Sequence, residues 1–256
     1  MIRIGLVNQK GGVGKTSTAV NLAACLAAAN RRVLLIDVDP QGNATSALGA
    51  EKGGHSIYNV LVDQIPTRDA IRATFMENLF LLPSDANLYG AEIELLDREN
   101  REGQLQQALS QLQGNFDYVI MDGPPSLGVL TLNVLVASQS IVIPVQAEYY
   151  ALEGLSLLLQ TIERVHGSIN PNLEILGILV TMFDSRLNIA QQVETELRSH
   201  FPDKVFKTMI TRSVRLAEAP SHGKPVIVYD FRSSGAQNYI TLAQEVIDAA
   251  EKTCTR

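Results

Sequence analysis

The chain has 256 residues, 46% of them hydrophobic, and a formal charge of −6. Such a length and composition suit one large globular domain, and the negative balance argues against a protein coated in basic surface. Two cysteines, Cys25 and Cys254, stand far apart without metal-ligand spacing, which suits a reducing compartment and gives no sign of a zinc or iron–sulfur site.

The first strand-like run, Ile2–Val7, has no basic leader or cleavage site before it, so no secretory signal is expected. Further runs follow at Val33–Val38, Leu79–Leu82, Tyr118–Met121, Ile141–Val145 and Ile175–Val180, none of transmembrane length. Most lack in/out alternation, as strands buried on both faces of a parallel sheet do. Segments of helical period lie between them, near 15–29, 103–113, 128–138, 151–166 and 188–200. The alternation predicts an α/β fold, a single doubly wound and mostly parallel sheet flanked by helices, in one domain over residues 1–256. A last helix, roughly 236–251, puts Ala236, Tyr239, Ile240, Ala243, Val246 or Ile247, and Ala250 on one stripe, expected to pack on the sheet.

Between the first strand and an Ala-rich helix stands Asn8-Gln9-Lys10-Gly11-Gly12-Val13-Gly14-Lys15-Thr16. Strand, glycine-rich loop, Lys-Thr and helix together are the context of a phosphate-binding loop. Glycines let the backbone wrap tightly and aim N–H groups at phosphate oxygens, and the helix adds its positive end. Lys15 would supply a charge to the β- and γ-phosphates, and the Thr16 hydroxyl would ligate Mg²⁺. The spacing departs from G-x-x-x-x-G-K-[ST], because Gln9 occupies the first glycine position and an additional lysine, Lys10, is present.

Two of the strands run into aspartates, at Ile36-Asp37-Val38-Asp39-Pro40 and Met121-Asp122-Gly123-Pro124. Ligands of open α/β sheets lie beyond the carboxyl ends of the strands, so these groups should converge on the loop. One carboxylate can hold Mg²⁺ through its water shell and another can orient an attacking water, although strand-end aspartates also cap turns. Asp37 shares a face with Asp39 but sits one step deeper.

These residues resemble the ParA/Soj family of partition ATPases, within the deviant Walker A, MinD-like class of P-loop NTPases. The matching stretches are NQKGGVGKTSTAVNLAACLA at 8–27, VLLIDVDPQGNATSALG at 33–49, DYVIMDGPPSLG at 117–128, PVQAEYYALEGL at 144–155, ILGILVTMFDSR at 175–186 and VRLAEAPSHGKPVIVYD at 214–230. The resemblance implies that Lys10 to Ser17 (Lys10, Gly11, Gly12, Val13, Gly14, Lys15, Thr16, Ser17) bind ATP with Mg²⁺. It also implies that Thr16, Asp39 and Asp122 serve the metal, and that Lys10, Lys15 and Asp39 are catalytic. Two ATP-bound subunits would form a sandwich homodimer in which Lys10 reaches the partner's nucleotide and Gly11 packs closely at the interface. Taken alone, Lys10 reads as a solvated loop lysine. Hydrolysis, slow and stimulated by a ParB-type centromere-binding protein, would dissolve the dimer.

The family further implies non-specific double-stranded DNA binding through Arg186, Arg215 and Lys224, and a cytoplasmic, nucleoid-associated protein in chromosome or plasmid partitioning. Residues 198–232 hold seven basic groups against three acidic ones, which alone reads as a solvated face. Such a patch would touch phosphates without a base code. With the first strand-like run opening the sequence, no helix-turn-helix domain of the kind larger relatives carry is expected. Thr211-Arg212-Ser213 replaces Pro-Arg-Asn at a stretch that lies near the adenine in relatives. A MinD-like membrane-cycling ATPase is the alternative, disfavoured because the last helix carries Glu245, Asp248 and Glu251 against Lys252 and Arg256, so no membrane partner is expected. An electron-transfer ATPase would need clustered cysteines, and an ATP-binding scaffold would turn over negligibly. His55, His166, His200 and His222 have no ligand spacing, though His222 could join a DNA face. Tyr149 and Tyr150 read as core or dimer contacts.

Overall fold

The computed structural model describes residues 1–51, 53–112, 114–148 and 151–254. Tyr149, Tyr150 and Arg256 lie outside the described residues, as do the side chains of Glu251, Lys252 and Cys254. The described strands are β1 (Ile2–Leu6), β2 (Val33–Asp37), β3 (Arg72–Ala73), β4 (Leu79–Leu82), β5 (Tyr118–Asp122), β6 (Ser140–Gln146) and β7 (Glu174–Thr181). They form one sheet in the order β3-β4-β2-β5-β1-β6-β7, parallel except for the β3–β4 pair. All six expected strands are present. The antiparallel edge strand β3 is two residues long, too short to leave a periodic signal.

The helices are α1 (Lys15–Ala28), α2 (Asn43–Ala47), α3 (Ile57–Leu61), α4 (Thr67–Ala70), α5 (Leu88–Glu94), α6 (Gln104–Ser110), α7 (Val129–Ala137), α8 (Ala151–Ser168), α9 (Asn188–His200), α10 (Val214–Glu218), α11 (Val226–Tyr229) and α12 (Ser234–Cys254). A 3₁₀ turn spans Ala219–His222. The short helices α2 to α4, α10 and α11 escape periodicity because about one turn shows no stripe, and the seven-residue α5 spans too few turns for its stripe to stand out from sequence.

The lack of alternation in the strands has a plain cause. Ile4, Leu6, Leu35 and Ile120 face α1 and α12, while Leu34, Ile36, Val119 and Met121 face the layer of α6 and α7. Both faces are therefore dry, each buried Leu or Ile contributing about 1.5–3 kcal/mol. In α12, Ala236, Tyr239, Leu242, Ala243, Val246, Ile247 and Ala250 are buried. Ile240 is only partly so, and Leu242 takes its expected place in the stripe. Parallel pairing aligns the carboxyl ends of β1, β2 and β5, with Leu6 opposite Asp122 and Asp122 opposite Asp37. The site grows from that edge.

Candidate active site

The loop after β1 is fastened to two neighbouring strands and by one bond within itself. Asn8 Nδ2 donates to the Pro144 carbonyl at 2.7 Å, and Asn8 Oδ1 accepts from the Lys10 N–H at 3.0 Å. Thr181, at the end of β7, donates its hydroxyl to the Val13 carbonyl at 2.8 Å. Gly12 and Gly14 hold φ of 76° and 88°, a left-handed backbone that a Cβ disfavours. Gly14 is also the N-cap of the 14-residue helix α1 and offers no side-chain acceptor, so the first-turn N–H groups stay available to an anion. Lys15 is 6% exposed and donates from Nζ to the Lys10 carbonyl at 3.1 Å. Burial lowers its pKa, opposed by the charges of Asp122 and Asp39.

The three aspartates converge as expected and then separate by role. Asp37 Oδ2 accepts from the Thr45 N–H and the Thr45 hydroxyl, both at 2.7 Å, while Asp37 Oδ1 accepts from the Asp39 N–H at 3.2 Å. It is spent on holding α2. Burial pushes it up to about 6 against those hydrogen bonds, with the charge of Asp39 adding to the rise. Asp39 Oδ1 accepts from the Gln41 N–H at 3.0 Å. Asp122 is fully buried, and neither of its oxygens has a hydrogen-bond partner. Burial raises its pKa well above the usual carboxylate range and the facing Asp37 adds to this, while Thr16 (without reaching hydrogen-bond geometry) and Lys15 pull it down. A buried carboxylate with two orphan oxygens beside a threonine hydroxyl and a lysine fits a hydrated divalent cation, whose charge and water would supply the missing partners.

Beside the loop lies a cavity of about 310 Å³, lined by Gly14, Ser17, Thr181, Met182, Thr211 and Arg212 among others. The Thr211-Arg212-Ser213 stretch thus borders a space of nucleobase size. Thr211 is held there by Asn238, whose Oδ1 accepts from its N–H at 3.0 Å and its hydroxyl at 2.8 Å. Thr181 and Asn238 were not singled out from sequence, and neither carries a local motif.

A family described as an AAA domain matches residues 1–175. The sporulation initiation inhibitor protein Soj of Bacillus subtilis is 56% identical over 95% of this chain and 97% of its own length. The chain belongs to the Soj/ParA family of chromosome-partitioning ATPases. The chromosome partitioning protein ParA of Myxococcus xanthus is 51% identical over 95% of this chain and 87% of its own. A crystal structure of cobyrinic acid a,c-diamide synthase from Mycobacterium smegmatis, with bound ADP and magnesium, superposes with a TM-score of 0.84 at 37% identity, covering 95% of this chain and 93% of that one.

In this partition ATPase the Lys10 side chain leaves its own loop and meets Glu148. Lys10 Nζ lies 3.4 Å from Glu148 Oε2, with the two side chains 42% and 50% exposed. Gly11 is open, the nearest atom to an added Cβ being Pro125 Cβ at 4.0 Å. The expected basic face is less uniform than the local charge count implies. The segment 204–211 runs alongside β7, so Lys204 sits near Ile175 while Arg212 lies past the strand's carboxyl end. Arg198 is tied to Glu194 and the Phe206 carbonyl. Of the three family positions, Arg186 pairs with Asp184 at 2.6 Å and Arg215 with Glu218 at 2.8 Å and Asp230 at 3.2 Å. Lys224 is exposed at the lip of a second cavity, of about 300 Å³, shared with Thr16, Ser17 and Asn43. His222 stacks on Tyr229, with ring centroids 4.9 Å apart.

Proposed function

We propose that ATP closes two copies of this partition ATPase face to face, that the pair holds duplex DNA without reading its sequence, and that hydrolysis releases it. One observation carries the reading: Lys15 fills the phosphate end of its own loop, while the Lys10 ammonium points outward to Glu148, free to be exchanged for a partner's nucleotide. A cation delivered in trans neutralises charge developing on the transferred phosphoryl group and makes turnover conditional on pairing.

Within each copy, the first-turn N–H groups of α1 and the Lys15 ammonium seat the β- and γ-phosphates, and Gly11, Gly12, Val13 and Ser17 line the path. Thr16, Asp39 and Asp122 would hold Mg²⁺, which supplies charge neutralisation on the phosphates when bound. Asp39 orients the attacking water, its backbone neighbours fixing the carboxylate. The bound ADP and magnesium of the Mycobacterium smegmatis structure support ATP with Mg²⁺ as the cofactor pair here. Slow turnover, raised by a ParB-type centromere-binding protein, suits a timing switch in the cytoplasm and on the nucleoid.

Duplex contact falls to Arg186, Arg215 and Lys224, with phosphates displacing Asp184, Glu218 and Asp230 from the arginines. Six such cations in a pair imply a slope of about −5 in log affinity against log salt, or roughly a 200-fold loss for a threefold rise in salt. A membrane-cycling role has less support, because the apolar stripe of α12 is spent against α1 and the sheet. Among the described residues no helix is long and apolar enough to cross a membrane. The deciding experiment measures duplex binding with ATP and with ADP across a salt series, beside vesicle pelleting. ATP-gated, salt-steep DNA binding is expected. Equal binding in both nucleotides, or ATP-dependent pelleting with anionic vesicles, refutes the proposal.

A further inference from the structure

Helix α5 turns one apolar face inward and another outward. Leu88, Ala91 and Leu95 are buried, whereas Tyr89, Ile93 and Leu96 are 58%, 73% and 51% exposed. Ile93 is the most exposed large hydrophobic among the described residues. Tyr89 and Ile93 fall at i and i+4 on α5, and Leu96 follows in the turn just past its end, where its N–H donates to the Ile93 carbonyl at 3.0 Å. A helix apolar on both sides belongs in an interior, and here nothing in the protomer covers the outer side.

The loop after β5 links α5 to the face that carries Lys10. An added Cβ at Gly11 would stand 4.0 Å from Pro125, and one at Gly128 would meet Glu92 Oε1 at 2.8 Å and Ser126 Oγ at 3.6 Å. The loop after β5 therefore bridges the phosphate loop and α5. The Ser126 hydroxyl in that bridge is buried with no hydrogen-bond partner.

We propose that Tyr89, Ile93 and Leu96 form part of the surface buried against a second copy of this chain in the ATP-bound pair. The inference rests on the face-to-face reading above and names side chains that hold the pair together. A lysine that must cross to the partner's nucleotide puts Gly11 near the two-fold axis, and α5 lies one loop away from it. A stable pair needs about 800 Å² of contact from each partner, more than a phosphate loop presents alone. Charge narrows the occupant. Glu92, Glu94, Asp97 and Glu99 flank the stripe, the nearby Arg98 is engaged with the Leu61 and Val62 carbonyls, and Arg101, which reaches the Leu96 carbonyl, is paired with Glu102. Such a rim repels duplex DNA and anionic lipid, leaving a protein surface, with the carboxylates at its hydrated edge.

The test uses the full chain with Asp39→Ala, in which ATP persists, and sedimentation velocity with and without ATP. Adding Ile93→Asp is expected to weaken the ATP-dependent dimer at least tenfold, since both copies lose the contact, while a fluorescent ATP analogue binds the monomer within twofold of the parent. Ile93→Leu is expected to restore the dimer, and Tyr89→Lys to weaken it like Ile93→Asp. Because both side chains are exposed, the melting temperature should not move. A parent that dimerises alongside an Ile93→Asp variant that dimerises equally overturns this inference alone. A parent that stays monomeric with ATP overturns the face-to-face reading and this inference with it. An Ile93→Asp chain that dimerises normally yet loses stimulation by a ParB-type protein assigns the stripe to that protein, which also overturns it.

Discussion

Thr181→Val isolates one hydrogen bond that joins the far side of the sheet to the phosphate loop. Thr181 is 2% exposed, and its hydroxyl is the donor to the Val13 carbonyl at 2.8 Å. Valine keeps the branched shape but leaves that carbonyl without this donor, a loss of about 1–3 kcal/mol for a buried acceptor. The incoming methyl also stands too close to the same oxygen and pushes the loop outward. For a chain of this size, each kcal/mol moves the melting temperature by about 2–4 °C, so a fall of roughly 2–12 °C is expected. Because Val13 lies between Gly12 and Gly14, nucleotide affinity should fall as well, by about tenfold for each 1.4 kcal/mol that reorganising the loop costs. Thr181→Ser retains the hydroxyl and should bind nearly as the wild type. Differential scanning calorimetry and isothermal titration with ATP and Mg²⁺ measure both effects. If Thr181→Val melts and binds like wild type, the fastening of the loop from β7 is not what shapes it.

Lys15→Ala should remove ATP binding by two orders of magnitude or more in calorimetric titration, because the phosphates lose their fixed cation; unchanged affinity would falsify its role. Glu148→Gln frees Lys10 from a half-exposed ion pair worth at most about 0.2–1 kcal/mol per copy. ATP-dependent dimerisation should tighten by about twofold to thirtyfold in light scattering, and a weaker dimer would show that Glu148 serves the pair itself. Burial pushes the Asp37 carboxyl up to about 6 from the usual 3.8. Its contribution to stability is therefore fully present below about pH 4 and lost as pH rises through 6, by at most about 3 kcal/mol. Asp37→Asn should flatten the fall in urea midpoint between pH 4.5 and 7.5, whereas parallel curves for variant and wild type would contradict the assignment.

Much of this protein was legible before any coordinates. Buried parallel strands must be apolar on both faces, so six strands and their helices stood out as runs and periods. A phosphate loop is a contiguous motif, and Gly12 and Gly14 hold the left-handed backbone that glycine permits. What the chain order could not supply was contact across long separations. Thr181 reaches Val13 from 168 positions away, and Glu148 meets Lys10 from 138. Only closure of the sheet brings either pair together. A charge count carries no geometry for a related reason: neighbours in sequence along residues 204–212 travel the length of β7, so one basic run divides between the two ends of that strand. The three aspartates looked alike as strand-end groups, and the packing around them decided that Asp37 holds a helix while Asp122 keeps two empty oxygens. Short-range pattern sets secondary structure and motif chemistry, because both depend on adjacent residues. Pairing, burial and exposure depend on which distant segments fold against one another, and they alone singled out the outer stripe of α5.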